Sequence, residues 1–178
     1  MHMDIKHIPN RIKPKLDIRN DLFGNQFVPD LRPVAGKSAA KSGKTFEDIT
    51  ESILHGGKCL ITKRPKFKCH FGLPRQGDFQ IESIGDDRKV HIECKQLGNV
   101  ESHFDKLSHV FMNLVSNCYG EEMWLVYDYN GDVSQRAIRH IESLIARCVR
   151  LKKQVALQGI TFELVLIDDL PQMMKEFG

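Results

Sequence analysis

The sequence is organised around two short runs, Gly77-Asp78-Phe79-Gln80-Ile81-Glu82 and Lys89-Val90-His91-Ile92-Glu93-Cys94-Lys95-Gln96. Each run alternates apolar with polar side chains, and a Gly85-Asp86-Asp87 break separates them. Strict alternation is the pattern of a β-strand with one buried face, and a short polar break with glycine is typical of a turn. The two runs therefore predict a β-hairpin.

The pairing of these runs predicts which side chains meet. Because successive side chains of a strand point to opposite faces, the apolar residues are expected to face a core: Phe79, Ile81, Val90, Ile92 and Cys94. The polar residues between them are expected to face outward. In the simplest register, Asp78, Glu93 and Lys95 meet at one end of the sheet.

Two carboxylates and an ammonium on neighbouring strands suit phosphodiester chemistry. Carboxylate oxygens bind Mg²⁺, which keeps several of its waters and also takes phosphate oxygens. The ion lowers the pKa of a bound water and neutralises charge that builds on a phosphate, and a nearby lysine can orient that water or stabilise the transition state. The alternative is a charged strand face that is merely solvated, which is the ordinary state of such a face.

The spacing of these residues resembles a known family. An aspartate, fourteen residues and then Glu-Cys-Lys is similar to the motif of the PD-(D/E)XK nuclease superfamily, whose members have a restriction-endonuclease-like fold. The resemblance covers roughly residues 45 to 130, and Gly77 stands where the family often has proline. It implies that Asp78 and Glu93 bind Mg²⁺, or Mn²⁺ in its place, together with the Cys94 backbone carbonyl. Lys95 would position the attacking water or help to deprotonate it.

A helix precedes the hairpin and offers a third acid. Thr45 can cap a helix that runs to about Leu54, and two glycines follow it. The first core helix of the resembled family often supplies an acidic residue to the metal site. Glu47 matches that role best and Glu51 is the reserve, although an acid near a helix N-terminus is also favoured by the helix dipole alone.

A basic segment with interleaved aromatic residues comes immediately before Asp78. Lysine and arginine contacts to phosphates supply most of the non-specific affinity for DNA, and Phe67, His70 or Phe71 could stack on a base. An alternating strand with a basic outer face and an inward-facing Phe67 is the alternative. The residues predicted to bind DNA are Lys44, Lys63, Arg64, Lys66, Lys68 and Arg75.

Composition and charge place limits on the class of protein. The chain has 178 residues with 41% hydrophobic and 28% charged residues, which is ordinary for one globular domain. No apolar run is long enough to span a membrane and no secretory signal is evident, so a cytoplasmic protein is expected. Five cysteines without a C-x-x-C pair argue against a disulfide framework or a structural zinc site.

The N-terminal segment differs in charge from the rest. Residues 1–44 hold nine Lys and Arg and four Asp, whereas the whole chain has a net charge of +3. The segment is therefore interpreted as a basic arm before a nuclease domain at residues 45–178, and a basic arm favours a polyanionic partner. Its scattered apolar residues are expected to dock on the body or on a second copy of the chain. A phosphate-binding loop between Gly36 and Gly43 is excluded because six residues, and not four, separate the two glycines.

These observations lead to one reading of the whole chain. The expected fold is α/β: an αβββαβ core with a mixed central sheet flanked by helices, a basic N-terminal arm and a C-terminal helix-strand-helix extension. The expected function, implied by the resemblance, is a Mg²⁺-dependent endonuclease acting on DNA as a homodimer without a nucleotide cofactor. It looks similar to Holliday-junction resolvases and to small type II restriction endonucleases. The alternative is a DNA-binding or assembly module that kept the fold without cutting, and an RNA substrate stays open.

Overall fold

The helices and strands are taken from a computed structural model, which describes residues 39–97, 103–129 and 135–177. The helices are α1 (Ala39–Leu54), α2 (His103–Val115), α3 (Gln135–Ala156) and α4 (Leu170–Glu176). The strands are β1 (Cys59–Lys63), β2 (Lys66–Lys68), β3 (Pro74–Gln76), β4 (Phe79–Ser83), β5 (Lys89–Leu97), β6 (Glu122–Tyr129) and β7 (Thr161–Leu166). None of these four helices is both long and apolar enough to cross a bilayer.

Five of the strands form one mixed sheet in the order β1-β4-β5-β6-β7. The neighbours β1 and β4, and likewise β4 and β5, are antiparallel. The neighbours β5 and β6, and β6 and β7, are parallel, and helices α2 and α3 make the two crossovers that parallel pairing requires. The remaining strands, β2 and β3, pair only with each other as a separate hairpin.

Helices cover both faces of this sheet. On one face, Leu107 and Leu114 of α2 and Ile141 of α3 pack with Met123 and Leu125 of β6. The other face carries α1 and α4, whose buried residues pack with Trp124 and Val126 of the same strand. The near-continuous apolar run of β6 is therefore buried on both sides, as the sequence predicts for a strand at the centre of a sheet. The mixed α/β architecture with flanking helices is confirmed.

Three features differ from the sequence-based expectations. Helix α1 begins at Ala39, so it includes the last residues of the segment that was interpreted as a basic arm. The basic segment forms the hairpin β2–β3 in place of one strand. The expectation that the polar side chains of β5 face outward is wrong for His91 and Glu93, which are both buried. The predicted basic arm lies almost wholly outside the described residues, as does the dimer contact assigned to it.

Candidate active site

The register of β4 and β5 brings the two predicted acids together. Phe79 pairs with Ile92, which places Asp78, one residue before β4, opposite Glu93. The backbone amide of Cys94 donates a hydrogen bond of 2.7 Å to Asp78 Oδ2 and holds that carboxylate against β5. The three polar groups of the motif therefore lie at one place, beside the point where the chain enters the hairpin β4–β5.

Lys95 bridges the two carboxylates. Its Nζ lies 3.0 Å from Glu93 Oε2 and 3.7 Å from Asp78 Oδ2. Burial lowers the pKa of Lys95, but the charges of Glu93 and then Asp78 outweigh burial, and the pKa is raised overall. The side chain is therefore an ammonium at neutral pH. This state fits a cation that orients water or stabilises negative charge, and it does not fit a base that takes a proton from water.

The two acids differ in their electrostatic state. Burial, followed by the charge of Glu93, raises the pKa of Asp78 to about 6, although Lys95 and the Cys94 amide oppose this rise. Burial also raises the pKa of Glu93, but His91 and Lys95 outweigh it and the pKa is lowered overall. One lysine thus faces two carboxylates that repel each other, and a divalent cation would relieve that repulsion.

Helix α1 carries Glu47, the third acid that was predicted for the site. After burial and the charge of Glu93, the charge of Glu47 also raises the pKa of Asp78, so this carboxylate acts on the site electrostatically. Glu51, the reserve candidate, is instead held in an ion pair of 2.7 Å with Lys63. Of the two acids on α1 that were predicted as candidates, Glu47 is the one that acts on the site electrostatically.

The donor groups favour a metal that keeps much of its water. In the part of the chain that the structure describes, no three side chains of His, Cys, Asp or Glu form a cluster that could hold a metal ion. The two carboxylates, with the Cys94 carbonyl that the resemblance implies, are then the candidate protein ligands. Mg²⁺ fits such a sparse oxygen set because it retains several waters, whereas structural zinc needs four protein ligands.

His91 belongs to the site but was not predicted to do so. It is 5% exposed, its Nε2 lies 3.6 Å from Glu93 Oε1, and this nitrogen has no hydrogen-bond partner among the described residues. Its ring packs against Tyr119 at 4.5 Å and edge-on against Phe67 at 5.3 Å between centroids. The signal in the sequence was its position two residues before Glu93, which puts both side chains on one strand face.

Gly77 explains how a histidine fits there. A Cβ at residue 77 would lie 2.1 Å from His91 Nε2 and 3.3 Å from Glu93 Oε1. No side chain can occupy that position unless His91 moves. Glycine at position 77 is therefore what leaves room for the His91 ring in this site.

The residues predicted to bind DNA divide into three groups. Lys66, Lys68 and Arg75 are exposed on β2 and β3, and Arg64 is exposed at the corner before β2. Lys63 is exposed but is paired with Glu51, and the side chain of Lys44 lies outside the described residues. Phe67, also a candidate for base stacking, is half-buried and packs against Tyr119 and His91.

The hairpin β2–β3 is joined directly to the acidic site. The Gly77 amide donates to the Pro65 carbonyl at 2.9 Å, and the Arg64 amide donates to the Asp78 carbonyl at 3.0 Å. The exposed cations therefore start from the same backbone that positions Asp78. A polyanion that contacts this hairpin would lie beside the two carboxylates.

Comparisons with known proteins do not assign a family. No family model matches the chain, and no curated protein matches it. Two solved structures show a distant likeness. One is the crystal structure of AF1548, a protein of unknown function, with 11% identity, a TM-score of 0.38 and coverage of 72% of this chain and 65% of that one. The other is Pyrococcus furiosus SfsA in complex with Ca²⁺, with 15% identity, a TM-score of 0.37 and coverage of 72% and 58%.

This likeness is too weak to carry an argument about fold or activity. The chain also spans less than two thirds of the length of either structure. Function must therefore be argued from the residues of the site.

Proposed function

We propose that this protein is a Mg²⁺-dependent deoxyribonuclease that hydrolyses phosphodiester bonds within DNA. The observation that carries the proposal is that Lys95 Nζ lies 3.0 Å from Glu93 Oε2 and 3.7 Å from Asp78 Oδ2, beside a hairpin of exposed cations. Isolated acids and lysines on a strand are usually solvated, but these three groups are largely buried and share one site. Burial of charge costs free energy, and a catalytic role gives a reason to retain it.

The order of elements supports the finer fold proposed from the resemblance. Elements α1, β1, β4, β5, α2 and β6 follow the αβββαβ order of the PD-(D/E)XK core. Hairpin β2–β3 is then an insertion before the acidic motif, and α3, β7 and α4 are the C-terminal extension.

Each residue of the site has a proposed role. Asp78 and Glu93, with the Cys94 carbonyl, would hold the metal, which when bound supplies charge neutralisation at the phosphate and a water of lowered pKa. Lys95, kept protonated by the two acids, orients the attacking water and stabilises the charge that develops on the phosphate oxygens. Glu47 adds negative charge that favours cation binding, and the hairpin cations hold the DNA backbone.

The experiment is a cleavage assay with matched lysine variants. The full chain is incubated with supercoiled plasmid, linear duplex and a four-way junction, in Mg²⁺, Mn²⁺ or EDTA. Lys95→Ala and Glu93→Gln are expected to lower the cleavage rate by about 10²-fold or more while DNA binding is retained. Lys89→Ala is the control, because Lys89 lies on the same strand but pairs with Glu82 at 3.2 Å, away from the site.

The outcomes separate the proposal from its alternative. Discrete plasmid bands would indicate sequence-specific cutting, and selective cleavage of the junction would indicate a resolvase. Tight binding without cleavage in either metal would overturn the proposal in favour of a non-catalytic DNA-binding module. Normal turnover by Lys95→Ala would refute the assigned site. The predicted homodimer, which would supply two sites for two strands, stays a prediction.

A further inference from the structure

The tip of hairpin β2–β3 carries an exposed aromatic ring that the proposed chemistry does not use. Phe71 is 70% exposed and Leu73, two residues on, is 54% exposed. Phe71 is a central residue of a tight turn that is closed by a hydrogen bond of 2.7 Å from the Gly72 amide to the Cys69 carbonyl. Gly72 has a φ of 75° there, in the left-handed region that glycine adopts without strain. The turn thus presents a large apolar side chain to solvent.

The ring is held in place and is not simply a loose surface side chain. It packs against His70 with 3.9 Å between ring centroids. His70 is in turn fixed to α2, because its backbone amide and its Nδ1 lie 3.1 and 2.8 Å from Asn113 Oδ1. Asn113 is buried and donates its own hydrogen bond to the Tyr119 hydroxyl. A side chain that is already ordered loses less conformational entropy when it binds a partner.

The charge around the tip identifies the class of partner. Residues 63–77 contain five Lys and Arg and no acidic residue. Lys66, Lys68 and Arg75 are exposed, and within the described parts of the chain no carboxylate makes a salt bridge with them. An apolar ring between exposed cations complements a polyanion that has flat apolar groups. A nucleic acid with an accessible base has both properties.

We propose that Phe71 acts as a wedge that stacks on an unpaired or unstacked base of DNA, while Lys66, Lys68 and Arg75 hold the phosphates on either side. Insertion of an apolar side chain at a base step is an established way to recognise distorted DNA. A fully paired duplex must be unstacked before the ring can enter, and this costs free energy. Mismatched, bulged or branched DNA does not incur this cost in full, so such DNA is the preferred substrate class. This proposal depends on the DNA-binding half of the proposed function and is independent of cleavage.

The test measures binding in EDTA, where hydrolysis does not interfere. Fluorescence anisotropy compares a fully paired duplex with the same duplex carrying one unpaired 2-aminopurine, whose own fluorescence reports stacking. The wild-type chain is expected to prefer the unpaired substrate and to change the 2-aminopurine signal. Phe71→Ala is expected to lose roughly 5- to 150-fold in affinity for that substrate, which corresponds to about 1–3 kcal/mol per stacked base, with little change for the paired duplex.

Control variants distinguish a wedge from general damage. Leu157→Ala removes another exposed apolar side chain, 89% exposed after α3, and is expected to change neither binding nor fluorescence. Phe71→Trp keeps a stacking surface and is expected to restore the preference. The proposal is overturned if Phe71→Ala binds both substrates like the wild type, a result that would point to a protein as the partner of the ring. It is also overturned if the substitution weakens the binding of both substrates equally.

The wedge and the nuclease can fail separately. A preference for unpaired DNA that depends on Phe71, without cleavage in Mg²⁺ or Mn²⁺, would support the wedge and reject the hydrolase. Cleavage that depends on Lys95 but is unchanged in Phe71→Ala on paired, unpaired and branched substrates would support the hydrolase and reject the wedge.

Discussion

The close packing of His91 against Gly77 leads to a quantitative prediction about the stability of the site. In Gly77→Ala the new Cβ would lie 2.1 Å from His91 Nε2 and 2.6 Å from Cε1, far below ordinary contact. His91 must move, yet it is enclosed by Phe67 and Tyr119. Extra volume in a packed interior typically costs about 1–3 kcal/mol. For a chain of this size that corresponds to a fall in Tm of roughly 2–12 °C.

The measurement is thermal and urea unfolding of a double-mutant cycle with a glycine control. His91→Ala removes the atoms that the new methyl group would meet, so the double variant should be more stable than the sum of the two single changes predicts, by about 1–3 kcal/mol. Gly85→Ala is the control, since its Cβ would meet nothing closer than Ser83 Oγ at 4.0 Å, and a change within about 0.5 kcal/mol is expected. Additive effects in the cycle, or a Gly77→Ala variant as stable as Gly85→Ala, would refute the steric account.

Three further predictions concern the site, the sheet and the hairpin. In EDTA, the unfolding free energy of Asp78→Asn relative to that of the wild type should rise by up to about 3 kcal/mol as the pH is raised from about 4 to about 7. The reason is that the pKa of Asp78 is raised to about 6 in the folded protein, so ionisation of this carboxyl destabilises the wild type. Mg²⁺ should then raise the Tm of the wild type but not of the variant, and a pH-independent difference in urea unfolding would contradict this. Glu122→Ala should cost about 1–3 kcal/mol in urea unfolding, because Glu122 accepts a buried hydrogen bond of 2.9 Å from Trp124 Nε1, and Glu122→Gln should cost less since it keeps an acceptor. Lys66→Ala and Lys68→Ala should each weaken duplex binding and reduce the slope of log K against log salt by about 0.9 per lost phosphate contact. Anisotropy titrations over a range of salt concentrations test this, and an unchanged slope would rule out phosphate contact.

The local pattern was sufficient for the strands that carry the acids. Alternation at period two located β4 and β5 and placed Asp78 opposite Glu93, because an antiparallel register fixes which side chains meet. The near-continuous apolar run Met123-Trp124-Leu125-Val126-Tyr127 likewise predicts a strand that is buried on both faces, and the long helix after it predicts parallel pairing with the next strand. These features depend on residues that are close in sequence or on general rules of topology.

The parts that were missed depend on contacts between distant residues. The polar side chains of β5 were expected to face outward because they alternate with apolar ones, but Phe67 from the β2–β3 hairpin and Tyr119 from the segment before β6 cover His91. Nothing in the neighbourhood of His91 in the sequence indicates this cover. The role of Gly77 was hidden for the same reason, since only the folded chain shows which atoms occupy the space of its missing side chain.

The fit between Gly77 and His91 also has an evolutionary consequence. A larger side chain at position 77 is acceptable only after the residue at position 91 becomes smaller, so in a lineage that descends from this protein the two positions should change together or stay fixed. Glu93 lies 3.3 Å from the same missing Cβ, which extends the constraint to the acidic motif. A pattern of Gly-Asp followed by His-x-Glu-x-Lys would therefore identify distant relatives of this chain more specifically than the acidic motif alone.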